Sequence, residues 1–169
     1  MRRLQLQLGA LTLLALFTAP RMSAELVKAS TRTAAPDFSL PDVKNAPVRL
    51  ADFKGRILLL DFWATWCGGC KVEIPWYMEF QDKYKSTGLA AVGVSLDDGG
   101  WKNVTPYLRL HPINYPIVIG DTAITNRYRV TSLPVTVLID RQGNVATRHV
   151  GLVDKAAFEK ELAALLREK

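Results

Sequence analysis

DFWATWCGGCKVEIPW, residues 61–76, carries both cysteines of a 169-residue chain, Cys67 and Cys70, two positions apart in an apolar stretch with three tryptophans. A pair so spaced is a redox device, half of a metal site or a short staple. Upstream, ILLLDFWA (57–64) is a near-continuous apolar run bounded by turn residues. Such a run predicts a strand buried on both faces, as in a parallel sheet covered by helices. Downstream, from about Gly69 to Lys85, Val72, Trp76, Met78, Phe80 and Tyr84 follow helical spacing, with Pro75 expected to bend the helix. The cysteines therefore fall where a buried strand turns into a helix.

Element types keep alternating away from this centre. LAAVGVSL (89–96) reads as a second buried strand, Trp101 to His111 as a helix interrupted by Pro106, YPIVI as a short extended piece, and Ala123 to Tyr128 as a small helix. VTSLPVTVLIDRQGNVATRHV then reads as two strands joined at Gln142-Gly143-Asn144, and Asp154 caps a final amphipathic helix to Lys169. Before the centre, FSL and VRL bracket a Pro-Asp turn as a short hairpin, followed by a turn over Asp52 to Arg56. Parallel strands linked by a helix, an antiparallel hairpin and a last helix make a three-layer α/β arrangement.

Length and a hydrophobic content of 49% describe one globular domain. The formal charge of +6 includes Arg2, Arg3 and Arg21; without them 19 Lys and Arg face 16 Asp and Glu. That balance, spread along the chain, argues against nucleic acid as a partner. Residues 1–24 open with two arginines and continue into an apolar run from Leu4 to Ala19, shorter than the ~20 residues of a comfortable membrane span. They read as a secretory signal peptide. A bulky Met22 near the expected cut after Ala24 keeps an uncleaved N-terminal anchor as the alternative. Residues 25–35 are small and polar and read as a linker into a domain spanning 36–169, with order beginning near Asp37.

WATWC-x-x-C on a strand-to-helix turn, SLP-V-TVLID followed by a Gly-Asn hairpin, and a closing helix resemble the thioredoxin fold. The particular resemblance is to the exported TlpA/ResA/CcmG-type thiol-disulfide oxidoreductases, through the APDFSL hairpin, FWATWC and an insert ending in Ile113-Asn114-Tyr115-Pro116. It covers about residues 35–165 and implies a central mixed sheet flanked by helices, with an N-terminal β-hairpin extension and an internal αβ insert. One departure stands between the cysteines, where Gly68 and Gly69 replace the proline or charged residue usual in relatives.

Thiol-disulfide exchange needs one accessible, acidified thiol to attack and a second nearby to resolve the mixed disulfide. Cys67 at a helix N-terminus, where free N–H groups and the macrodipole favour negative charge, suits the first role. Cys70, one turn in and more buried, suits the second. A metal site lacks its other ligands, since only His111 and His149 exist, and both read as surface or satisfied loop residues. A purely structural disulfide closing so short a loop would constrain little of the unfolded chain. Asp61 lies in an apolar run where ionisation is costly and its pKa should rise. Its place six residues before Cys67 matches the buried acid of thioredoxin; the plainer reading is an Asp near a strand end reached by water. Glu73, one turn beyond Cys70, matches the acid of the CxxCxxE pattern; the plainer reading is a solvated helical charge.

The resemblance places Leu133-Pro134 in a cis-proline loop facing the cysteines, where the Leu133 backbone would pair with an extended substrate segment. Trp66, beside the nucleophile, is a candidate substrate contact, although packing the fold and shielding the disulfide is the plainer reading of both Trp63 and Trp66; Trp76 and Tyr77 read likewise. The implied activity is reduction of disulfides in envelope or periplasmic proteins, with cytochrome c maturation as one outlet and a membrane thiol reductant as electron donor. No cofactor or metal beyond the Cys67–Cys70 disulfide is expected, and a monomer is. An oxidant or isomerase is the nearer alternative. A non-catalytic thiol-binding module or copper chaperone is the alternative of another class, though copper relatives usually space the cysteines by three and add a histidine. A thiol peroxidase would want a Pro-x-x-x-Thr-x-x-Cys loop, absent here.

Overall fold

The computed structural model describes residues 26–168. The export segment read over 1–24 lies outside them. An antiparallel hairpin comes first, β1 (Ser39–Pro41) and β2 (Pro47–Arg49), its turn closed by the Asp42 carboxylate accepting the N–H groups of Lys44 and Ala46. The main body follows as β3 (Ile57–Trp63), α1 (Gly68–Tyr84), β4 (Leu89–Ser95), α2 (Trp101–Leu110), β5 (Ile117–Ile119) and α3 (Thr122–Arg127). It ends with β6 (Val135–Ile139), β7 (Val145–Val150) and α4 (Lys155–Arg167). The five-stranded sheet runs in the order β5-β4-β3-β6-β7, with β3, β4 and β5 parallel and β6 antiparallel to both its neighbours. This is the expected mixed, thioredoxin-like sheet with its hairpin extension.

Every residue of β3 and β4 is buried because both faces of the sheet are covered. Alternate side chains of β3 divide between two cores. Ile57, Leu59 and Trp63 meet Ile74, Tyr77 and Phe80 of α1, Val104 of α2, and Phe158, Leu162 and Leu165 of α4. Leu58, Leu60 and Phe62 meet Phe38 and Leu40 of the hairpin and Ile124 of α3. Asp61 belongs by this alternation to the first face, under α1. Pro75 lies inside α1, which continues beyond it to Tyr84. The β6–β7 turn forms at the expected Gln142-Gly143-Asn144: Gly143 adopts φ +88°, and Asp140 accepts the N–H groups of Gln142 and Asn144. Asp154 caps α4 by accepting the Ala157 N–H at 3.0 Å.

The stretch expected to be a linker differs from that reading, because the chain is docked well before Asp37. Val27 donates its N–H to the Ala146 carbonyl, Val145 donates to Thr33, and Ala34 bridges Asn144, so the segment borders β7. The Arg32 guanidinium is buried between Asp140, at 3.3 Å, and Glu168, at 2.6 Å. Backbone pairing and one buried cation hold this segment, and neither leaves a hydrophobic pattern in the sequence.

Candidate active site

β3 ends at Trp63 and α1 begins five positions later at Gly68, so Cys67 becomes the N-cap of α1. Its Sγ accepts the Cys70 N–H at 3.1 Å and is bonded to the Cys70 Sγ. A sulfur at that position meets the unpaired N–H groups and the positive end of the helix. Cys67 is 5% exposed and Cys70 0%, so the two differ in access in the expected order. The turn between β3 and α1 is held by Asp97, which follows β4. Its carboxylate accepts the Thr65 N–H at 2.9 Å, the Thr65 hydroxyl at 2.5 Å and the Ser95 hydroxyl at 2.8 Å. Trp66, one residue on, is 68% exposed. The expectation that it packs the fold fails, since Trp66 lies on the turn after β3 with its side chain in solvent; Trp63, facing the core by the alternation of β3, and Tyr77 are fully buried and do pack.

Leu133-Pro134 is a cis peptide. Pro134 is buried against the start of α1: a Cβ placed on Gly69 would lie 3.2 Å from Pro134 Cδ and 4.0 Å from Leu152 Cβ, whereas one on Gly68 would meet nothing within 4 Å. The disulfide is thus flanked by Pro134, while Trp66, Val72 and Leu152 leave exposed apolar surface on the adjoining segments.

Beneath the cysteines lie two buried acids. Asp61 is fully buried with no hydrogen-bond partner on either carboxylate oxygen. Burial, and secondarily the Glu73 carboxylate, pushes its pKa well above the usual range. Access by water from a strand end is therefore not what this residue has. Glu73 is also buried, not a solvated helical charge. Its Oε1 accepts the Val153 N–H at 2.7 Å. Burial raises its pKa; the Val153 N–H, the Tyr77 hydroxyl and His149 pull it partly back. Tyr77 places its hydroxyl 2.7 Å from the Thr136 hydroxyl, and Thr136 stands across the ladder from Asp61. The buried Tyr115 hydroxyl, from the segment before β5, lacks a partner, and Gly93, the parallel-register neighbour of Asp61, has no room for a side chain beneath Trp63, Tyr115 and Ile117.

Cys67, Cys70, Trp66 and Pro134 gather at one end of the sheet, with Glu73 and Asp61 behind them. Asp97, Tyr77, Thr136, Tyr115 and Val153 were not singled out from the sequence for this site. Of these, only Asp97, an acid directly after a buried parallel strand, had a readable signal. Of the histidines, His111 ends α2 against Tyr107, and His149 is in β7, not a loop, with Nε2 2.8 Å from Glu161 of α4. Among the described residues no group of three or more His, Cys, Asp or Glu side chains gathers as a metal site, and no helix is long and apolar enough to cross a membrane.

Comparison with known proteins places this geometry among relatives. The model of the AhpC/TSA family matches residues 31–148. The thioredoxin-like protein YneN of Bacillus subtilis is 34% identical over 129 residues, 76% of each chain. The thiol-disulfide oxidoreductase ResA of Geobacillus kaustophilus is 34% identical over 132 residues, 78% of this chain and 75% of ResA. A crystal structure from Chlorobium tepidum, described as a candidate thiol:disulfide interchange protein DsbE, superposes with a TM-score of 0.76 at 36% identity, covering 80% of this chain and 96% of that one.

Proposed function

Because the chain belongs to the AhpC/TSA family, with ResA-type relatives, we propose that this thiol-disulfide oxidoreductase reduces disulfides of proteins in the cell envelope. The observation that carries the reading is a sulfur capping α1 and bonded to a second, more buried sulfur one turn in. In the reduced protein the Cys67 thiolate attacks one sulfur of a target disulfide, whose other sulfur leaves as a thiolate. Cys70 then loses its proton to Glu73 or Asp61 and attacks the Cys67 sulfur. The target departs with two reduced sulfurs, protonated by water and by the acid that took the Cys70 proton, and the protein keeps the Cys67–Cys70 disulfide, having given up two electrons. A thiol reductant at the membrane returns it to the dithiol state.

Target binding draws on the same surface. Trp66 and Leu152 offer apolar contact, and the Leu133 backbone, next to Pro134, suits an extended segment pairing strand-like across the cysteines. Export by the N-terminal segment brings the protein to its targets, and apocytochrome c is one substrate that fits.

The test is capture of substrates with Cys70→Ala in the native host. This variant is expected to accumulate mixed disulfides through Cys67, and the captured proteins identify the targets. Absence of adducts, together with unchanged exchange activity in Cys67→Ala, overturns the reading. Envelope proteins trapped in a strain lacking its membrane thiol reductants, but not in the parent, would mark the protein as an oxidant. A stoichiometric ion that survives dialysis of anaerobically purified protein would favour the copper chaperone.

A further inference from the structure

We propose that the pole of the domain opposite the disulfide holds the headgroup of a membrane aminophospholipid, phosphatidylethanolamine, at a site separate from the thiol chemistry. The start of β3 and the end of β6 lie at the far end of the sheet from Cys67. There a cleft of about 340 Å³ opens between a 3-10 turn over Leu50–Phe53, the stretch from Lys54 to Arg56, and the β6–β7 turn. Leu50, Phe53, Leu58 and Ile139 give it an apolar lining. Backbone bonds fix its walls: the Gly55 N–H donates to the Arg141 carbonyl and the Ala35 N–H to the Gly143 carbonyl, each at 2.9 Å. A pre-formed apolar cleft of this size with a few charged groups is the usual form of a small-molecule site.

The charges of the lining decide the ligand. Lys54 and Arg56 both line the cleft, and among the described residues neither forms an ion pair; Arg56 donates to the Leu89 carbonyl. An ammonium and a guanidinium without counter-ions suit a phosphate. Of the two acids in the lining, Asp140 is taken up by Arg32 and by the N–H groups of Gln142 and Asn144. Asp37 is exposed, accepts the Phe38 N–H at 3.0 Å and pairs with no cation among the described residues, since Arg127 reaches its carbonyl instead. One carboxylate is therefore left for a cation. A phosphate, a primary ammonium and an apolar body together make an aminophospholipid, and the ammonium brings N–H donors that a quaternary choline lacks. The volume takes the headgroup and the first methylenes, with the rest of the chains left in the bilayer. The membrane as source agrees with where the chain enters the fold. Val27 donates to the Ala146 carbonyl, close to the turn that walls the cleft, so the apolar run from Leu4 to Ala19 joins the domain at this same pole. Held there, the domain turns its disulfide away from the bilayer.

The test titrates the isotope-labelled full chain with dihexanoyl phosphatidylethanolamine below its micelle concentration and follows the amide resonances. Those of Phe53 and Gly143 are expected to shift, and that of Cys67 to stay. The parent should bind this lipid more tightly than the phosphatidylglycerol or phosphatidylcholine of the same chain length. Lys54→Ala is expected to weaken binding about tenfold. Asp37→Asn should weaken phosphatidylethanolamine by a similar factor and leave phosphatidylglycerol unchanged or tighter. Both replaced side chains are exposed, so both variants should keep the parent's unfolding midpoint and its exchange rate on a soluble disulfide. No shift at the cleft, equal binding of the three lipids, or variants that bind as the parent does overturns the proposal. Free phosphoethanolamine and inorganic phosphate should bind at least about tenfold more weakly than the lipid; equal affinity for either overturns the membrane as the source.

Discussion

Asp61 holds a carboxyl group in a place that offers it no partner, and folding pays for that with a pH-dependent loss of stability. Its pKa in the fold lies well above the ~3.9 of a free aspartate, by burial first and by Glu73 second. Between those two values the folded chain holds a proton that the unfolded chain has released. This stabilisation is fully present below about pH 4 and is lost as pH rises through the folded value. Asp61→Asn removes the ionisation, so relative to the parent it should gain about 1 kcal/mol or more at pH 8 and little at pH 4. Urea unfolding of the two reduced proteins at both pH values measures the difference. If Asp61 shares the resolving step, the same variant slows release of the mixed disulfide more than its formation; stopped-flow rates separate the two.

The turn from β3 into α1 is where single changes act on a whole element. Gly68 and Gly69 both open the helix, so alanine at either gains helix propensity of up to ~1 kcal/mol. Only at Gly69 does the new methyl press on Pro134. Gly68→Ala is therefore expected to raise the melting temperature of the oxidised protein, and Gly69→Ala to raise it less or lower it. Asp97→Ala removes three hydrogen bonds to Thr65 and Ser95. It should cost about 2–4 kcal/mol in chemical denaturation and speed alkylation of Cys67 in the reduced form. At this scale the strands, α1 and the β6–β7 turn were legible, because apolar runs, helical spacing and Gly-Asn chemistry are local signals. The acids were legible as candidates, since a charge inside ILLLDFW demands a reason. Tyr77 and Thr136 meet across 59 positions of sequence, and no local pattern announces such a pair. The exposure of Trp66 is not legible locally, because a turn residue has no strand or helix period to say which way it faces.

For the molecule as a whole, the N-terminal approach to the sheet matters more than its composition suggests. Arg32 bridges residues 108 and 136 positions away, tying the segment before the hairpin to the β6–β7 turn and to the end of α4. Arg32→Ala leaves Asp140 buried beside an empty space and is expected to destabilise by about 3 kcal/mol, read by urea unfolding. A chain beginning at Asp37 should be less stable than one beginning at Leu26 by a similar amount, whereas a true linker would make no difference. Glu73 reaches equally far in another direction, through its grip on Val153 in the connection between β7 and α4. Leu152, just before Val153, borders the mouth beside Gly69. A carboxyl that has gained a proton holds that amide less firmly, so the entrance loosens as the core is neutralised. On the proposal that Glu73 takes the Cys70 proton, charge in the interior and the outline seen by an arriving protein thereby become one variable, and resolution of the mixed disulfide favours departure of the product.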